Sequence, residues 1–459
     1  MKMESEKSPP SPSIFTKPIF LLFGVGALLT YNAFLTELNF FDHFLKDLSP
    51  GKTIPFLNFA LNITFQFIIL WKKNLFKLKI QLITGLVCSI VFLILIPIIV
   101  ANLKKNSIEN ILITSFLILI MGFVNALLTS GFYSLASFFP LENLVSLNSG
   151  MAIAGILMNI IKYIVLITIN PGDDEDDIIL CALIFFSISG FILLVCLILL
   201  IYEFNTDYYK YYLRTVNNND TRIKNTKELL CSEKENKNKI NENNEQNNIE
   251  ENKKESTNNV AELNAQLVEI EEDDIEPSSE SIQEKKEKSF MEIFKILKDV
   301  DLLGMYTYIV TASVYPNAVI SQSLYGLEDD YNINTILIII NTCDTIGRYL
   351  VIKVKASRKL LYSVVLSRTI LLFTILLCYS FQQNDKNINF TGTFLLINII
   401  ALAISNGIST SLCFGMAPTL VDDEYKGQAG ASVSFFATLG TCTGTILAFL
   451  TAEIMKKLD

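Results

Sequence analysis

Asn341-Thr-Cys-Asp344-Thr-Ile-Gly347-Arg348 lies inside an otherwise apolar run from Ile333 to Ile352. Asp344 and Arg348 are four residues apart, so on a helix they share one face and can pair, with the acid on the N-terminal side as the favoured order requires. The run is about as long as the roughly 20 residues that a membrane-spanning helix needs. At a bilayer centre each charge costs roughly 2.5–3.5 kcal/mol on insertion scales, so both must face a protein interior or a water-filled cavity. The face they share reads as the floor of a solute pathway. The alternative is a buried pair that only locks this helix to its neighbours.

The rest of the chain agrees with a membrane setting. It has 459 residues, 51% of them hydrophobic, 32 Phe and a mean hydropathy of +0.41, the composition of a polytopic membrane protein. The net charge of −9 is concentrated in one polar segment, and no basic patch with interleaved aromatics occurs, so nucleic acid is not an expected partner. The eight cysteines form no C-x-x-C pair and sit mostly alone in apolar runs, which predicts neither a disulfide framework nor a metal site. His43 is the only histidine, which argues against membrane enzymes built on clustered histidines. No enzyme chemistry and no cofactor is expected.

Residues 1–15 form a short charged tail without the features of a cleaved signal peptide. Apolar runs follow at 16–40, 53–71, 79–101, 110–138, 146–169, 177–203, 302–323, 333–352, 360–381, 391–415 and 428–453. They predict an all-α polytopic protein of eleven transmembrane helices, six in a bundle over 16–203 and five in a bundle over 302–459. Residues 204–288, rich in Asn, Glu and Lys, predict a disordered cytosolic linker, because they cannot bury enough apolar surface to offset chain entropy. Ser289 and Glu292 have capping-box spacing, and Phe290, Ile293, Phe294 and Leu297 recur at helical period, so 289–300 predicts an amphipathic helix on the inner membrane surface. The lysine-rich loops 71–79 and 353–359 fall on one side of this threading, which makes that side cytosolic. The N-terminus is then cytosolic and the C-terminus extracellular, although Lys104 and Lys105 fall outside.

Polar residues are uneven among the runs. The third, sixth and ninth are almost wholly apolar, apart from Arg368 and small hydroxyls, and read as lipid-facing supports. The first, fourth, seventh and tenth carry clusters: Asn32 and Glu37; Asn125, Thr129 and Ser130; Tyr306, Tyr308, Thr311, Asn317 and Gln322; Ser405, Asn406 and Ser409. In the second, Asn58, Asn62 and Gln66 repeat every four residues as one inward stripe. Two helical halves with a site near the midplane between them fit this layout, in a fold like that of the major facilitators minus the last helix. For any single Asn or Ser, inter-helix bonding is an equal reading.

Four segments together resemble the equilibrative nucleoside transporter family. Gly24-Val-Gly-Ala-Leu-Leu-Thr-Tyr-Asn32-Ala-Phe is similar to the family's Gly-rich start followed by Pro-Trp-Asn, with Thr30 and Tyr31 in place of Pro and Trp. Leu128-Thr-Ser-Gly-Phe-Tyr-Ser-Leu-Ala136 and Asn148-Ser-Gly150-Met-Ala-Ile-Ala-Gly155 resemble its Leu-Gln-Gly-Ser-Leu-Phe-Gly-Leu-Ala and Ser-Gly-Gln-Gly-Leu-Ala-Gly runs. Asp344-Thr-Ile-Gly-Arg348 is similar to the family's Asp-x-x-Gly-Arg, and Ser405-Asn-Gly-Ile-Ser-Thr-Ser-Leu412 with Phe435-Phe-Ala-Thr-Leu-Gly440 resembles its end.

The resemblance implies a monomeric carrier in the cell membrane that moves nucleosides, and sometimes nucleobases, down their gradient by alternating access. It implies that Asp344 and Arg348 bind the solute, that Tyr31 takes the place of a ring stacking on the base, and that Thr129 stands where the family often has a base-reading Gln. Leu35, Asn125, Asn341 and Thr441 would line the pocket, with packing as the alternative, and Arg368 would hold the eighth helix in place. Two replaced positions leave open a facilitator of free nucleobases or another polar solute. The intramembrane acids Glu37 and Asp344 leave open proton coupling. A receptor or channel is the remaining class, and the alternation of polar and apolar runs argues against a channel.

Overall fold

The computed structural model describes residues 10, 12–72, 75–169, 174–214, 289–315, 319, 322–325, 329–354, 356–384 and 388–458. The expected linker from 215 to 288 and most of the N-terminal tail lie outside them. The first half comprises α1 (Thr16–Thr36), α2 (Leu38–Phe44), α3 (Pro50–Trp71), α4 (Leu78–Asn102), α5 (Ile108–Ala136), α6 (Leu141–Ile169), α7 (Glu175–Glu203) and α8 (Asp207–Tyr212). The second comprises α9 (Phe290–Val314), α10 (Asp329–Lys353), α11 (Arg358–Asn384), α12 (Ile388–Met416) and α13 (Lys426–Leu458).

Among the described helices, ten are long and apolar enough to cross a membrane, not the expected eleven, and α9 is the long helix left out. The run 302–323 does not continue as one helix. It stops at Val314, where Tyr315 turns extended at φ −115° and ψ 132°. Tyr315 precedes Pro316, whose ring disfavours helical backbone at the residue before it. The same helix starts earlier than expected, at the Ser289–Glu292 capping box, and runs through 300 without a break. The segment read as a separate surface helix is therefore the first part of α9. Its Ile293, Leu297 and Val300 are buried, and Phe294 stacks on Phe436 of α13 at 5.4 Å and 14°.

Two further boundaries shift for aromatic and ionic reasons. The run 16–40 bends at Glu37, whose fully buried carboxylate turns inward to Lys162 of α6. The beginning of the expected disordered linker is ordered. Thr206 caps α8, and Tyr209, 0% exposed, packs on Phe20 at 5.8 Å and on Phe139 at 4.7 Å. A polar composition averaged over 85 or so residues hid this aromatic cluster of Tyr208, Tyr209, Tyr211 and Tyr212.

The two halves repeat one pairing scheme. α1 packs on α6 as α9 packs on α13, and α3 packs on α5 as α10 packs on α12. α4 packs on α7, whereas α11 leans on α12 and α9. Ile94 and Ile98 of α4, Ile188 and Phe191 of α7, and Ile370 and Phe373 of α11 are left exposed, as lipid-facing side chains are. Where the halves touch, α13 meets α5 and α3, and α10 and α12 meet α6. The touching residues include Phe67 with Phe435 and Trp71 with Phe290, near the end of α3, the starts of α9 and α13, and so the end of the bundle where α1 begins.

Tyr209→Ala should lower stability by about 3–5 kcal/mol, the usual cost of truncating a fully buried aromatic. A thermal melt of the detergent-purified protein checks it, and an unchanged midpoint would show that α8 is not an integral part of the first half.

Candidate functional site

α10 carries Asp344 and Arg348 to the place where the halves meet. It can approach α12 closely because Gly347 faces the Ile404 carbonyl and Gly407 faces the Asp344 carbonyl, so a methyl on either glycine would overlap backbone. The pair is 6% exposed at each residue. Arg348 Nε donates to Asp344 Oδ2 at 2.8 Å, NH2 forms an ion pair with the same oxygen at 2.8 Å, and Asn406 Nδ2 of α12 donates to Oδ1 at 2.7 Å. A carboxylate buried in an apolar bilayer is tenable only when answered this fully.

Arg348 also reaches across the interface. Its NH1 donates to the backbone carbonyl of Asn148 on α6. Asn148 Oδ1 in turn accepts from the Tyr133 hydroxyl of α5 at 2.6 Å, and the Tyr133 ring lies flat on Phe414 of α12 at 3.7 Å and 11°. One cation thus grips the acid of its own half and the backbone of the other. Tyr308 of α9 and Tyr315, just past its end, lie within electrostatic range of the same acid.

A second polar bridge joins the halves beside it. Gln66 of α3, 1% exposed, donates from Nε2 to Asn62 Oδ1 at 2.7 Å, Thr438 Oγ1 of α13 at 3.0 Å and Thr129 Oγ1 at 3.2 Å. Thr129 donates to the Asn125 carbonyl at 2.8 Å, so its hydroxyl is engaged on both sides within the protein. The expected inward stripe of α3 is therefore partly a seam between halves.

The remaining expected residues are more scattered. Tyr31 is partly exposed and rests on Phe59 at 5.6 Å, on a stripe of α1 with the partly exposed Leu28, Asn32 and Leu35. Asn125 is buried with neither amide atom bonded. Asn341 and Thr441 bond back to Leu337 and Ala437 of their own helices. Among the described residues no hydrogen bond or ring contact joins Tyr31, Asn125 or Thr441 to the charged pair. Arg368 of α11 is fully buried and does approach it, through Asn406. Tyr133, Asn148 and Phe414 were not singled out from sequence, although Tyr133 and Asn148 lie in family-like runs. The signal for them was an aromatic or amide at the end of an apolar run, which is too common to select.

A cavity of about 610 Å³ lies elsewhere, between the start of α1 and the end of α7, lined by Thr16, Ile19, Leu22, Leu199, Tyr202 and Glu203. It touches none of the residues above. Among the described residues no group of three His, Cys, Asp or Glu is placed to hold a metal ion.

Gly407→Val should force α10 from α12 and break the Asn406–Asp344 contact, lowering the melting midpoint of the purified protein by several degrees. A wild-type melt would show that the two helices do not need this close approach.

Among solved structures, the chain is similar to the proton–xylose symporter XylE bound to 6-bromo-6-deoxy-D-glucose, with a TM-score of 0.61 and 12% identity over 97% of this chain and 89% of that one. It is also similar to the E. coli fucose–proton symporter FucP, with a TM-score of 0.55 and 12% identity over 97% and 92%. These likenesses establish the major facilitator fold. In sequence the chain is 24% identical to equilibrative nucleotide transporter 1 of Arabidopsis thaliana over 199 residues, 42% of this chain and 43% of that protein. It is 29% identical to equilibrative nucleoside transporter 2 of Mus musculus over 187 residues, 38% and 41% of the two chains. The matches span about two-fifths of these relatives' length. A family model described as nucleoside transporter matches residues 115–452, most of the chain, with Asp344, Arg348, Asn148 and Asn406 inside it. The chain is a multi-pass membrane protein that belongs to the nucleoside transporter family.

Proposed function

We propose that this protein carries nucleosides across a cell membrane by facilitated diffusion with alternating access, and that free nucleobases are its second class of solute. The observation that carries the reading is Arg348, held at once by Asp344 of its own half and by the Asn148 carbonyl of the other. A carboxylate can accept from two sugar hydroxyls, and a guanidinium offers several fixed donors to ring nitrogens or carbonyls. A solute that takes over donors of Arg348 releases Asn148, so binding loosens the contact between halves. Binding and opening are thereby linked through one side chain. The match to relatives named for nucleoside and nucleotide transport supports the same solute class.

Tyr31 is proposed as the wall on which the base stacks, its stripe on α1 being partly open. Leu35, Asn125, Asn341 and Thr441 are proposed to line the path, and Thr129, with its hydroxyl spent on Gln66 and Asn125, supplies shape rather than a bond. Glu37 is neutralised by Lys162, and Asp344 by Arg348, so no unpaired carboxylate stands ready at either place. By the positive-inside rule the end where α1 begins is cytosolic, which makes the closed end of this conformation the inner one. The carrier is proposed to act as a monomer.

Asp344→Asn and Arg348→Ala should each abolish radiolabelled nucleoside uptake at near-normal surface expression; loss of expression in both would instead mark a purely structural pair. Tyr31→Ala should weaken nucleoside uptake roughly 5-fold, the lower part of the 1–3 kcal/mol range seen for base stacking on aromatics, while Tyr31→Trp keeps it. Unchanged apparent affinity in a well-expressed Tyr31→Ala protein would contradict the stacking role. Modification at the Asn389 sequon, lost in Asn389→Gln, is expected from the orientation, and modification of Asn219 would overturn it.

A further inference from the structure

Arg368 is a cation sealed away from the solute path, 0% exposed on α11. Among the described residues it has no carboxylate at ion-pair distance; NH1 and NH2 donate to neutral acceptors, and Nε is buried without a partner. NH1 donates to the Leu402 carbonyl at 3.0 Å and to Ser405 Oγ at 2.7 Å; NH2 donates to the Thr307 carbonyl at 3.4 Å, to Thr311 Oγ1 and to Asn406 Oδ1 at 3.3 Å. Burying a charge without its counter-ion costs several kcal/mol even when dipoles solvate it. A helix-to-helix tether alone needs no charge, so the charge asks for a further role.

The role follows from the polarity of one amide. Asn406 has an acceptor end and a donor end. Its Oδ1 accepts from Thr311 Oγ1 at 2.7 Å and from Arg368 at 3.3 Å, and its Nδ2 donates to Asp344 Oδ1 at 2.7 Å. Flipped by half a turn, the same amide would put an oxygen against the carboxylate and an NH2 against the guanidinium, exchanging two attractions for two repulsions. We infer that Arg368 is a positioning residue for solute binding: through Asn406 it orients the Asp344 carboxylate that the solute meets.

The geometry gives that orientation a purpose. Arg348 grips only Oδ2, with both Nε and NH2, and leaves Oδ1 to Asn406. Without the Asn406 donor, Asp344 could turn to take both oxygens to Arg348 as a two-pronged pair. The guanidinium would then swing with it and lose the direction in which NH1 now points, to the other half. Arg368 and Asn406 therefore keep the pair in the single-oxygen arrangement, met through the Nε and NH2 edge, that leaves NH1 of Arg348 for an outside acceptor. This inference rests on the carrier reading above and extends it to two residues that need not touch solute.

The test is a double-mutant cycle in proteoliposomes with radiolabelled adenosine, reading KM, Vmax per reconstituted protein and the melting midpoint. Arg368→Met and Asn406→Leu should each raise KM roughly 10-fold, the size of a lost charge-linked hydrogen bond, with Vmax within about twofold. The double variant should be no worse than the poorer single one, because both act through one amide. Arg368→Lys, which keeps a charged donor, should recover most of the affinity. Should Arg368→Met fail to fold, Thr311→Val removes the other donor to Asn406 Oδ1 and takes its place in the cycle. KM effects that multiply, or a lowered melting midpoint with KM unchanged, would overturn the inference and leave the carrier reading intact. A folded wild type that takes up no adenosine, other nucleoside or nucleobase overturns both.

Discussion

A carboxylate and a guanidinium placed one helical turn apart in a lipid-crossing segment create a demand that the rest of the protein must meet. Leaving either charge unanswered costs more than most single interactions can repay, so polar groups from several helices converge on them. Asn406 comes from α12, Asn148 from α6 and Tyr133 from α5, and Arg368 stands behind Asn406 from α11. Because α5 and α6 belong to one half and α10 to α12 to the other, satisfying the pair also joins the halves. The same bonds that make the charges tenable hold the halves together.

The repeated pairing of helices explains why such a convergence is geometrically possible. Glycines bring α1 against α6 and α10 against α12 to backbone contact, with Gly24 facing Leu147 and Gly150 facing Leu21 in the first case. Close crossings of this kind are how helices associate where lipid competes equally for apolar side chains. They also bring the Asn406 side chain within reach of the Asp344 carboxylate. The apolar α4, α7 and α11 stay outside, and Arg368 sends a charge inward from the middle of α11.

Much of this was legible in the chain. The i,i+4 charge pair, the ordering of apolar runs and the two-half division rest on periodicity and on the cost of charge in lipid, both of which are local properties of sequence. What escaped was decided by single residues or by tertiary packing. The seventh apolar run leaves helical backbone at Tyr315, just before Pro316 in sequence, sooner than hydropathy alone would place its end. Tyr209 orders a segment whose average composition reads as disordered. Thr129, placed at a base-reading position by resemblance, has its hydroxyl occupied by Gln66, which sequence could locate on an inward stripe but could not pair across the halves. Asn148 acts through its backbone carbonyl, which no residue pattern announces.

The central claim is that Arg348 exchanges the Asn148 carbonyl for a nucleoside and that the halves then reorient without an energy source. Counterflow with the purified protein in liposomes tests it most directly. Liposomes loaded with unlabelled adenosine, at equal pH on both sides, should transiently accumulate external labelled adenosine and then release it to equilibrium, as a reorienting carrier requires. Label that never rises above equilibrium while uptake is otherwise normal, or flux that appears only with an imposed proton gradient, would contradict the account.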